Sequence, residues 1–261
     1  MQANYFAKRR RNSISFLLIL SIVTFLAILI TEYNIVKGFT SLPKAVEWAL
    51  GNFYPTIDSL SKLPDILDKL VETILVSVAA TTVGAGFAIL FAIMGSNTTK
   101  VNGFFGSISR GVATIFRNID VAAWAMILLF SFGQSSLTGY FALFFGSFGF
   151  LTRAFVETID EVSGGSVEAL RATGASYFSI IFQSVIPSSL PQMISWVLFM
   201  IETNIRSATL IGLLTGSGIG FTFNLYYKSL NYDIASLVVI VIAIAILSIE
   251  TISNYVRRVI L

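Results

Sequence analysis

At 261 residues, with 55% hydrophobic and 12% charged residues, the chain carries about half the charge of a soluble domain, which holds roughly 25%. It has no cysteine and no histidine, which excludes a disulfide framework, a thiolate metal site, a Cys nucleophile and any Ser-His or Cys-His pair. The net charge of +3 is small, so its distribution along the chain carries more information than its sum.

Apolar runs of spanning length predict an all-α polytopic membrane protein. The first span is predicted over residues 14–30, directly after Lys8-Arg9-Arg10-Arg11. It is longer than a signal-peptide core and lacks a small-residue cleavage site, so it reads as an uncleaved anchor. Residues 31–68 follow as a long outer segment. Within it Val46, Ala49, Leu50 and Phe53 recur at helical spacing, beside Trp48 and Tyr54. That pattern predicts either a short helix lying in the outer interface or a packed connector. The first 68 residues form one predicted region and 69–261 the core.

The second span is predicted over 70–94, where Ala80, Gly84 and Ala88 form a small face with Ser77, Thr81 and Ala85 alongside. Such a face serves helix packing or a subunit interface. A third span over 111–132 has a clean apolar run only from 121, too short for about 30 Å of hydrocarbon. Arg117 and Asp120 therefore fall inside it, at a spacing that suits a structural ion pair. The fourth span covers 137–155.

A hydrophilic island of about thirty residues, 157–187, then separates two apolar helices. Ser163-Gly164-Gly165-Ser166 predicts a turn, with a helix starting near Val167. Glu168, Ala169, Ala172 and Ala175 keep one side of that helix small, and Gly174 ends it or permits close approach. Pro187 and Pro191 open the fifth span, 190–214.

Glu202 and Arg206 lie inside that span, with Asn204 and Thr209 as further polar groups. Ionisable side chains at such depth face a cavity or a partner. Their i,i+4 order favours a mutual pair. The pair either lines a path, where the Arg fork meets an oxyanion, or pins the helix to a neighbour. Gly212, Gly216, Gly218 and Gly220 follow as flexible backbone at the outer end, and a sixth span is predicted over 234–254.

With the N-terminus inside, ten Lys and Arg flank the inner ends of the spans and five the outer ends. Both termini and the island are then cytoplasmic.

The island, from Glu168-Ala169-Leu170-Arg171-Ala172-Thr173-Gly174 to Ile186-Pro187, resembles the signature loop of ABC-importer permeases. It departs from the usual pattern at Ser184 and Ile186. The run Glu202-Thr-Asn-Ile-Arg206-Ser-Ala-Thr-Leu-Ile-Gly212, then Gly216-Ser-Gly-Ile-Gly220, resembles the phosphonate-type permeases in particular. The likeness covers residues 70–258.

It implies a type I ABC importer permease fold with six transmembrane helices, multi-pass in a bacterial cell membrane. It implies ATPase coupling through Glu168, Ala169, Ala172, Gly174 and Pro187, and a translocation path at Glu202, Asn204 and Arg206. Gly216, Gly218 and Gly220 become an outer flexible loop. The implied partners are an ATP-binding subunit, an extracytoplasmic substrate-binding protein and a second permease chain, identical or paralogous, in lipid.

No cofactor is expected on this chain. It has no Gly-Lys dipeptide and so no Walker A pattern, and ATP and Mg belong to the partner ATPase. No basic patch suggests nucleic acid. The implied cargo is phosphonate or a related oxyanion such as phosphite or a phosphate ester. A secondary or ion-coupled carrier for a small anion is the alternative, and an intramembrane enzyme lacks its catalytic groups.

Overall fold

The computed structural model describes residues 2–162 and 164–260. Ser163, assigned to the turn before the docking helix, lies outside them. The described residues are helical with no strand. They divide into two compact units, residues 1–53 and 54–261. The boundary expected after residue 68 therefore moves upstream. Thr56 donates a hydrogen bond to Asp233 (3.1 Å) and Ile66 is fully buried, so this stretch belongs to the second unit.

The first unit holds α1 (Gln2–Ile30) and α2 (Ile35–Asn52). Residues 8–30 of α1 cover about 34 Å at 1.5 Å per residue, enough to cross hydrocarbon, and their apolar side chains point outward. The side chain of Asn34 caps α2 by accepting from the Lys37 amide (2.9 Å). This helix starts well before the expected segment and runs through Pro43.

The second unit opens with a 3-10 turn, Asp58–Lys62, and then α3 (Leu63–Gly95). It continues through α4 (Gly103–Asn118), α5 (Val121–Phe132) and α6 (Ser136–Val162). A short stretch, α7 (Gly164–Ala172), α8 (Tyr177–Ile180) and a π turn (Ile181–Val185), leads into α9 (Ile186–Thr215). Then come α10 (Gly218–Lys228) and α11 (Tyr232–Ile260). Among the described residues five helical stretches are long and apolar enough to span, and six if the bent pair α4–α5 counts as one.

Helix α6 is the centre of this unit. The small face of α3 is buried against it: a Cβ on Gly84 meets Ser147 at 3.2 Å and the Phe144 carbonyl at 3.4 Å. That settles the small-residue stripe as helix packing within the chain. Phe91 meets Phe148 edge-on, with centroids 5.0 Å apart, and the fully buried Leu151, Phe155 and Ile159 extend the same core downward.

The third span does not run straight through its charged pair. It breaks at 118–120, and α4 and α5 meet at 90°. Ile119 is extended there, and the Asp120 carboxylate accepts from the Ala122 amide (2.8 Å) to start α5. Asp120 is thus a cap rather than the partner of Arg117. Phe116 stacks on Trp124 across the break, with centroids 5.2 Å apart, and closes its apolar side.

Candidate functional site

The polar island folds into one block. Val167 on α7 turns inward and is 2% exposed, while Glu168, Ala169, Ala172 and Gly174 face solvent. The helix starts at Gly164, earlier than expected, so the glycines and Ser166 form its first turn. Of the two roles open to Gly174, the structure selects the helix end. Gly174 has φ +80°, its amide bonds to the Arg171 carbonyl (3.0 Å), and the Ala175 amide reaches back to Leu170 (3.2 Å). A Cβ at Gly174 meets nothing within 4 Å, so the glycine serves conformation rather than close approach.

The block is fastened to the loop after α3. Asp160, near the end of α6, accepts from the hydroxyls of Ser96 (2.5 Å) and Thr98 (3.2 Å), the Thr98 amide (3.1 Å) and the Asn97 amide group (3.2 Å). Arg171 donates to the Thr98 carbonyl (2.7 Å) and Tyr177 to the Thr99 carbonyl (2.9 Å). Ser184 donates to Ser166 (2.8 Å) and joins α7 to the π turn. Sequence reading missed Asp160, Arg171 and Tyr177 as fasteners, because their acceptors and donors lie 62 to 78 residues away.

Pro187 is exposed in the first turn of α9. Lacking an N–H, it cannot continue the preceding ladder, and the chain widens into the π turn ahead of it. Ser188 donates to the Ser184 carbonyl (2.5 Å). The π turn thus runs into α9 as part of one continuous helical stretch, 177–215.

The proposed path residues separate in space. Glu202 is 14% exposed at its side chain and holds two arginines. One oxygen accepts from Arg206 (3.1 Å) on the same helix, and the other from Arg257 (3.0 Å) on α11. Arg257 also donates to Ser253 (2.9 Å). Sequence counting had assigned Arg257 to the cytoplasmic end of the last span, so this third member was missed. The carboxylate is a tie between α9 and α11. Arg206 is 58% exposed and keeps an open guanidinium edge.

Asn204 requires a correction: it does not line an open path in this chain. It is fully buried and donates to Thr81 (2.8 Å) on α3 and Ser147 (2.6 Å) on α6. Both hydroxyls also donate within their own helices, to Ser77 and Leu143 (2.7 Å each), so Asn204→Leu orphans neither. Interhelical bonds of this kind average about 0.6 kcal/mol in membrane proteins. Asn204→Leu is expected to lower stability by about 1 kcal/mol in a denaturant titration and to leave transport intact.

The outer glycines are corrected too. Gly216 is the left-handed cap of α9 (φ +67°), and Gly218 and Gly220 lie inside α10 and are buried. The Ile219 amide bonds to the Thr73 hydroxyl (2.9 Å), which satisfies an N-terminal donor of α10. A Cβ on Gly220 has no room against the Thr209 carbonyl. These glycines permit close backbone packing rather than a flexible loop.

Residues 84–260 match the family described as the inner membrane component of binding-protein-dependent transport systems. The chain belongs to this family. It is 26% identical over 203 residues to the phosphate-import permease protein PhnE of Mycolicibacterium smegmatis, covering 78% of this chain but only 38% of that protein. It is 27% identical over 255 residues to the putative phosphite transport system permease protein HtxC of Stutzerimonas stutzeri, covering 98% and 89%.

The fold is that of a solved amino acid ABC transporter chain, with a TM-score of 0.64 at 15% identity, covering 78% of this chain and 99% of that one. Members of the binding-protein-dependent family are transport components, so this permease is a multi-pass membrane protein and not an enzyme. The carrier alternative is set aside.

Proposed function

We propose that this chain is the permease subunit of an ATP-driven importer that moves phosphite, phosphonate or a related oxyanion into the cytoplasm. The observation that carries the reading is the exposed face of Glu168, Ala169 and Ala172 on a helix fastened at its back to the α3–α4 loop and the π turn ahead of α9. A small, rigidly backed face suits insertion into a groove of an ATP-binding subunit. Phosphate- and phosphite-transport relatives support the cargo class. The reading includes an extracytoplasmic binding protein, a second permease chain and cytoplasmic termini.

The test is reconstitution with the ATP-binding subunit and the binding protein in proteoliposomes. ATP-dependent uptake of phosphite or phosphonate is expected, and sulfate is expected to be excluded. In the cysteine-free chain, Thr173→Cys should react with an impermeant thiol reagent only from the cytoplasmic side. Labelling from outside, or uptake without ATP, overturns the proposal.

A further inference from the structure

The break between α4 and α5 opens a cavity of about 260 Å³ lined by Ala113, Thr114, Arg117, Asn118 and Arg153. Its depth follows from packing. A Cβ on Gly149 meets the Arg117 amide at 2.5 Å and the Phe116 carbonyl carbon at 2.7 Å, so Arg117 crosses α6 at Gly149. Gly149 is the midpoint of the 27-residue α6, about 20 Å from either end. Non-helical backbone at such depth persists only where it is buried in protein or lines a water-filled cavity. Here the apolar side of the break is closed by the Phe116–Trp124 stack, and the polar side is open.

The charges on this cavity do not balance. Arg153 pairs with Glu157 (2.5 Å), an exposed residue one turn further along α6. The Arg117 guanidinium makes no ion pair or hydrogen bond among the described residues. Asp120, its expected partner, is engaged at the start of α5. Asn118 uses its amide N–H on the Thr114 carbonyl (2.9 Å), and Thr114 donates to the Arg110 carbonyl (2.7 Å). The surplus is one positive charge at intramembrane depth, where ionisable groups are retained for a ligand or partner. An arginine fork matches a tetrahedral oxyanion through two parallel hydrogen bonds.

We propose that the cavity binds a phosphate-type oxyanion between Arg117 and Arg153. The inference rests on the importer reading for its cargo source. The alternative source of the same chemistry is a phospholipid headgroup.

The native chain has no cysteine, so a single Thr114→Cys reports on the cavity without any transport assay. The full chain is placed in nanodiscs of phosphatidylcholine alone or with added phosphatidylglycerol. Thiosulfonate reagents, one anionic and one cationic, are compared there and at the solvent-facing control Thr173→Cys. A focused positive field raises local anion concentration by about tenfold or more. The anionic-to-cationic rate ratio at position 114 is expected to exceed the control by about tenfold.

Adding Arg117→Gln should return the ratio to the control value, and Arg117→Lys should restore most of it. Because Arg117 has no carboxylate partner among the described residues, neither change strips one of its charge. Millimolar phosphate or phosphite is expected to slow labelling in phosphatidylcholine alone, which marks the cargo source. Slowing only in discs containing phosphatidylglycerol marks the lipid source. Equal reagent ratios at both positions with no protection by either source overturn the site. If position 114 is inert, Asn118→Cys on the same wall is read instead, and inertness of both also overturns it. A failure of the importer reading is seen separately, as absent ATP-dependent uptake by the unmodified chain.

Discussion

Ala172→Glu and Glu168→Lys are expected to stop uptake while the protein still folds. Both side chains are exposed on α7, so their cost to the chain alone should stay within about 0.5 kcal/mol. Against an ATP-binding subunit they introduce an unpaired or reversed charge at a docking surface, which costs about 2–5 kcal/mol. That is roughly thirtyfold or more in affinity. The measurement is twofold: the amount of each variant in the membrane, and the ATP-binding subunit recovered with it on affinity purification. Normal recovery with normal uptake removes α7 from the coupling role.

A half-buried control separates docking from folding. Asp160→Ala strips the 96–98 loop of its shared acceptor, leaving donors that cost about 1–3 kcal/mol to strand. It should reduce the amount of folded protein, which the α7 variants should not.

Arg257→Gln is expected to destabilise the chain far more than Arg206→Gln, although both arginines hold the same carboxylate. Arg257 is 26% exposed at its side chain and ties α11 to α9; its loss leaves Glu202 held only by an exposed neighbour. Breaking a buried pair on one side costs about 3–5 kcal/mol, and the partial exposure here brings the expected figure to about 2–3 kcal/mol. Arg206→Gln leaves the Glu202–Arg257 tie intact and should cost below about 1 kcal/mol.

Arg206→Gln is therefore the clean probe of the proposed path. Loss of uptake by a well-assembled Arg206→Gln complex supports a cargo contact, and retained uptake assigns Arg206 to surface pairing alone. Neutralising Glu202 and Arg206 together is a poorer probe, because it strands Arg257. Equal stability of the Arg206 and Arg257 variants would show that the α9–α11 tie carries no weight.

What the sequence determined by itself was set by local chemistry and composition. Apolar length identified the membrane helices, because hydrocarbon demands about 20 apolar residues of any helix that crosses it. Gly174 marked either the end of α7 or a close approach, and its φ of +80° with open space around it decides for the helix end. Ala80, Gly84 and Ala88 marked a close-approach face through spacing, and the contact of Gly84 with α6 then assigned it to packing within the chain.

What the tertiary structure decided was pairing. Glu202 and Arg206 stood four apart and invited a two-body reading, yet Arg257, 55 residues away, completes the site. Arg117 and Asp120 stood three apart and invited an ion pair. Asp120 instead caps the helix that its own chain break creates, which leaves Arg117 facing a cavity. The outer glycines looked flexible in one dimension and are among the most tightly packed residues in three. Local spacing states which partners a side chain could meet. Burial and the cost of unsatisfied polar groups select among them, and those terms exist only once the helices are packed.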